Sequence, residues 1–89
     1  MPTVWTNGSV YLFIETDDHK PPHAHVRDSK YQTRVNLETL EILKWSKRKR
    51  VTTTQKFDKM AIALVEEHLA ECRRVWQLVE EAKGEKHGN

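Results

Sequence analysis

From Phe57 to Val79 the apolar residues Phe57, Ala61, Leu64, Val65, Leu69, Cys72, Val75, Trp76 and Val79 recur at intervals of three and four. That period places them on one stripe of an α-helix. A stripe of this length is not left in water, so the rest of the chain must supply a surface that covers it. Thr52, Thr53 and Thr54 offer an N-cap hydroxyl and Gly84 a stop, and the spacing predicts one long helix from about Thr54 to Lys83.

The chain before this helix follows the other period. Val4 and Trp5 precede Asn7-Gly8, and Val10 to Glu15 alternates, with Val10, Leu12 and Ile14 on one face and Tyr11, Phe13 and Glu15 on the other. The pattern predicts a hairpin closed by a tight turn with φ > 0 at Asn7 and Gly8. Its second strand is apolar on both faces and is expected to be central. Asp17 to Pro22 cannot extend that strand, because proline donates no backbone hydrogen bond and holds the residue before it extended. Alternation resumes at His23, Asp28-Ser29-Lys30 turns the chain, and Gln32 to Leu37 returns. Ile42 to Trp45 reads as a fifth short strand, although "LETLEILKW" also fits a helical turn. The expected fold is α+β, an antiparallel sheet of four or five strands packed by one long C-terminal helix. It forms a single domain over residues 1–84, followed by a disordered tail over 85–89.

Eighty-nine residues provide for one core, and a domain this short buries only about two thirds of its unfolded surface, so any site is expected to be shallow or shared with another chain. Fifteen Lys and Arg against thirteen Asp and Glu give a net charge of +2, too small to diagnose nucleic-acid binding. Cys72 is the sole cysteine, which excludes an intramolecular disulfide. It reads as a small core residue in a reducing compartment. The N-terminus lacks a positive region followed by a long apolar run, and no stretch reaches the length of a membrane span. A cytoplasmic protein is expected, and "NGS" at Asn7 reads as a turn rather than a glycosylation acceptor.

Chemistry-bearing residues concentrate in "DDHKPPHAHVRD", Asp17 to Asp28. On an extended segment, His23 and His25 project from one face with Cα atoms about 7 Å apart, near enough to share a metal ion or a phosphate. Zinc needs further ligands, for which His19, Asp17, Asp18 and His68 are the candidates. A histidine could equally serve as an acid or base on a phosphodiester. Against both stands ordinary packing, in which the two histidines bond to neighbouring groups and the prolines fix the start of a strand. With so few ligands, a divalent cofactor is not the favoured reading. The candidate functional surface is Pro22, His23, His25 and Arg27. A second candidate is the basic run "KWSKRKR", where Lys44, Lys47, Arg48, Lys49 and Arg50 surround Trp45 and could grip phosphates or an acidic protein.

"MPTV", "PPHAHV" at Pro21 to Val26, "VNLETLEIL" at Val35 to Leu43, and "EEH" at Glu66 to His68 followed by Trp76 resemble, over nearly the whole chain, a family of small bacterial proteins of unknown function. The resemblance implies a compact α+β domain. Such domains are often encoded beside another small protein, in the manner of toxin–antitoxin pairs. By position it singles out Pro22, His23, His25, Glu67 and His68. The function expected is a cytoplasmic interaction module of toxin–antitoxin or mobile-element accessory type that binds a protein partner, with self-association open to it. The alternatives are a metal-dependent or histidine-assisted nuclease and a nucleic-acid-binding module that uses the basic run.

Overall fold

The computed structural model describes residues 2–16, 21–43 and 52–87, with the side chains of the last helix described to Lys83. Four strands, β1 (Thr3–Thr6), β2 (Tyr11–Phe13), β3 (His23–Arg27) and β4 (Gln32–Asn36), form an antiparallel meander in the order β1-β2-β3-β4. Two helices follow, α1 (Gln55–Glu67) and α2 (Leu69–His87).

Three of the turns are held by one device, an Asn or Asp oxygen that accepts two backbone N–H groups just ahead of it. Asn7 Oδ1 accepts from Ser9 and Val10 at 2.9 and 2.8 Å. Asp28 Oδ1 accepts from Lys30 and Tyr31 at 2.8 and 2.7 Å, and Asn36 Oδ1 from Glu38 and Thr39 at 2.7 and 3.1 Å. The first loop is longer than the two-residue turn expected, because Thr6 pairs with Tyr11 and leaves four residues between the strands. Only Gly8 within it takes a positive φ, of 93°.

After β4 the chain turns back through Leu40, at φ 61°. Ile42 then forms a single antiparallel bridge with Val35, flanked by Asn36 N–H to the Glu41 carbonyl and Leu43 N–H to the Arg34 carbonyl. A strand over Ile42 to Trp45 is therefore replaced by one bridge, as far as the described residues extend. Lys44 and Trp45 lie outside them.

The expected single helix is two. A straight helix from Gln55 to His87 would run about 50 Å at about 1.5 Å per residue, beyond the 44 Å longest dimension of the protein. The break falls at His68, whose N–H is shared between the Leu64 and Val65 carbonyls at 3.1 and 3.2 Å. That tightening lets α1 pack along β4 and α2 along β1. No proline or glycine marks the spot, and apolar spacing runs through it unbroken. At the start, Thr54 Oγ1 caps α1 by accepting from Phe57 N–H at 3.0 Å. At the end, α2 passes Gly84 and continues to His87, since glycine lowers helix stability without forbidding the helix.

The core lies between one sheet face and the helices, and gathers Leu12, Ile14, Ala24, Val26, Val35 and Leu37 against Phe57, Ala61, Val65, Cys72 and Trp76. Leu64, Leu69 and Val75, expected in this core, pack on its border and are only half-buried. No helix among the described residues is long and apolar enough to cross a membrane.

Candidate functional site

Strand β3 lies between β2 and β4, so both its edges are hydrogen-bonded within the sheet. Ala24 and Val26 face the helices. His23, His25 and Arg27 project from the other side, as their alternation requires. The two imidazoles come together with ring centroids 5.2 Å apart. They are not on an accessible face, because each is only 3% exposed.

The burial has a structural cause. His25 is opposite Phe13 in the β2–β3 register, and the two rings stack at 5.0 Å with planes 10° apart. Arg27 stands at the outer end of this row, its guanidinium carbon 5.3 Å from the Tyr11 ring centre and 5.6 Å from that of Phe13. At the inner end His23 meets Trp76 of α2 at 5.5 Å. A continuous row of rings thus joins the solvent-exposed Arg27 to the helix layer. His23 Nδ1 is 2.7 Å from the Pro21 carbonyl. A carbonyl only accepts, so this nitrogen carries the proton and is committed to holding the chain at the proline turn. His23 Nε2 and His25 Nδ1 are buried too.

Of the metal candidates, the fold brings together His23 and His25. His68 is on the helix side, where its ring stacks on Trp5 at 5.5 Å, and His19 lies outside the described residues. Among the described residues no three of His, Cys, Asp and Glu converge as metal ligands would. The basic candidates Lys44, Lys47, Arg48, Lys49 and Arg50 also lie outside the described residues.

Of the expected surface of Pro22, His23, His25 and Arg27, only Arg27 is exposed; Pro22 is half-buried and the two histidines are buried. Alternation in "HAHVR" reveals which residues share a face, but Phe13 and Trp76, whose rings contact the two histidines, are ten and more positions away in sequence.

What the sequence did not single out is the surface beside β1. One groove, of about 490 Å³, is lined by Pro2, Thr16, Val75, Leu78, Val79 and Lys83 among others. A second, of about 390 Å³, is lined by Trp5, Val10, Met60, Ala63, Leu64 and Glu67. Both are predominantly apolar, and each contains one of the two exposed large apolar side chains among the described residues, Leu78 at 56% and Met60 at 37%. The signal was available in the helical spacing, since Met60 and Leu78 fall beside the stripe rather than opposite it.

A family model described as a domain of unknown function, DUF4160, matches residues 8–77. The chain belongs to that family. The matched stretch contains β2 to β4, α1 and the first half of α2, and so includes the whole ring row from Tyr11 to Trp76. No curated protein and no solved structure matches the chain.

Proposed function

We propose that this protein is an interaction module of toxin–antitoxin or mobile-element accessory type, acting in the cytoplasm by binding a protein partner, a second copy included. One contrast carries the reading. The residues with chemistry to offer, His23 and His25, are packed at 3% exposure into the ring row, whereas apolar side chains stand open beside β1. A hydrolase needs its acid, base or metal at a surface that a substrate can reach. A docking module needs an apolar patch that a partner can cover, and exposed apolar surface of that kind marks interaction sites.

The test measures the mass of the purified chain by light scattering, alone and, where a small protein is encoded beside it, with that protein. A defined complex is expected in at least one arm, and Met60→Glu with Leu78→Glu should dissolve it. A chain that stays monomeric in both arms, and cleaves DNA or RNA with a divalent metal unless His25 is replaced by Gln, would overturn the reading in favour of a nuclease.

A further inference from the structure

The turn between β3 and β4 borders a polar cavity of about 250 Å³, lined by Arg27, Asp28, Ser29, Lys30, Gln32 and Thr52 among others. It shares no residue with the grooves beside β1. Backbone bonds fix its frame. Asp28 N–H donates to the Tyr31 carbonyl at 2.9 Å, and Gln32 N–H donates to the Thr52 carbonyl at 2.9 Å, which ties the segment before α1 to the start of β4. The Tyr31 ring meets that of Phe57 in α1 at 5.6 Å and anchors the turn to the helix layer.

Donors and acceptor in this cavity differ in what they have left to give. The one carboxylate, Asp28, already accepts the Lys30 and Tyr31 N–H groups through Oδ1. The side chains of Arg27, Ser29, Lys30, Gln32 and Thr52 make no hydrogen bond or ion pair among the described residues. A ligand therefore meets a guanidinium, an ammonium, two hydroxyls and a carboxamide, with two cations against one carboxylate. The Arg27 guanidinium is steadied by the Tyr11 and Phe13 rings, 5.3 and 5.6 Å from its carbon, so it loses less freedom when it grips a ligand.

We infer that this turn binds a phosphate group. A phosphate accepts through each of its oxygens and takes charge-assisted bonds from guanidinium and ammonium alike, whereas a carboxylate has only two oxygens to offer the same donors. Size agrees with a single anionic group. Sites that enclose a whole small molecule run from roughly 300 to 1,000 Å³, and at about 250 Å³ the cavity holds one group of a ligand whose remainder lies outside. Affinity for phosphate alone is accordingly weak.

The experiment is an amide NMR titration of the full chain with inorganic phosphate, and separately with acetate, at an ionic strength held constant with sodium chloride. Phosphate is expected to shift the amides of Ser29, Lys30, Gln32 and Thr52 saturably, and acetate to leave them in place. Arg27→Gln and Lys30→Gln should each weaken phosphate at least about fivefold, and the fold is kept because both side chains are exposed. Asp28→Asn should tighten it severalfold. Asparagine keeps the oxygen that closes the turn, as Asn7 and Asn36 do in theirs, and removes the opposing charge. Replacing Lys47, Arg48, Lys49 and Arg50 together by Gln should leave these shifts unchanged. A single-stranded oligothymidine then decides the source. Binding at least about tenfold tighter than phosphate through the same amides identifies a nucleic-acid backbone, and binding no tighter identifies a small phosphorylated molecule. Shifts scattered over the surface, an equal response to acetate, or binding that is lost only in the Lys47 to Arg50 variant overturns the inference. Such a failure leaves the partner reading intact, because that reading is tested at Met60 and Leu78.

Discussion

Single side chains in this protein are set by what is opposite them in the sheet. Thr33 is fully buried opposite Val26 on the helix side, and its hydroxyl has no hydrogen-bond partner among the described residues. Burying a hydroxyl without a partner costs more than burying a methyl of the same size. Thr33→Val is therefore expected to raise stability by about 1 kcal/mol, seen as a higher urea midpoint with unchanged slope. A lower midpoint would show that the hydroxyl is bonded in solution. Cys72 is likewise closed to water, and burial, with the Glu71 charge adding to it, pushes its thiol up from 9.0 to about 12. Because the folded thiol holds its proton more tightly than the unfolded one, its contribution to stability is whole below pH 9.0 and is lost as pH rises toward 12. Native protein should resist alkylation at neutral pH and react only after denaturation. Rapid labelling of the native chain would contradict the burial. Asp28 is the reverse case, since its carboxylate accepts the Tyr31 and Lys30 N–H groups and its pKa lies below the ordinary 3.8. Its support of the β3–β4 turn is present above that ordinary value and is lost as pH falls through the folded one.

At the scale of elements, the alternation of Val10 to Glu15 and of His23 to Arg27 gave both the strands and their faces correctly, because period two leaves a residue only one side to choose. The helical stripe was equally legible, and its interruption was not. The break at His68, where one N–H is shared between the Leu64 and Val65 carbonyls, is marked by no proline or glycine. It also redistributes burial within the stripe, leaving Trp76 at 6% exposure and Leu69 half-buried on the border. Trp76→Ala is expected to cost about 3–5 kcal/mol, and Leu69→Ala less than the roughly 2–5 kcal/mol of a fully buried leucine. Urea denaturation of the two variants decides the order, and a larger loss at Leu69 would place the α2 face differently. Leu40 is a further element-scale feature hidden from the sequence. A branched residue at φ 61° is disfavoured. It is tolerated because its N–H bonds to the Asn36 carbonyl at 2.8 Å and its side chain packs against the core.

Among the described residues the protein is a four-stranded sheet with two helices, and both exposed large apolar side chains, Met60 and Leu78, line grooves beside β1. If two copies meet there, association is linked to folding, and a partner that binds only the folded form stabilises it by mass action. The melting temperature should then rise by several degrees across a hundredfold increase in concentration and stay flat for Leu78→Glu. A concentration-independent melt of the wild type would remove the linkage.

Sequence by itself determined the class of fold, the order of the strands and the residues of the helical stripe, because those follow from local periodicity and from the turn chemistry of Asn7 and Asp28. It also determined that His23 and His25 share a face. Whether that face meets water was decided by tertiary structure alone, which leaves both histidines 3% exposed, with Phe13 stacked on His25 and Trp76 set against His23. The same holds for Met60 and Leu78, which are eighteen positions apart in the chain and line two different grooves. Periodicity states which residues point the same way. Accessibility depends on what distant segments place in front of them, and that is settled only when the chain is packed.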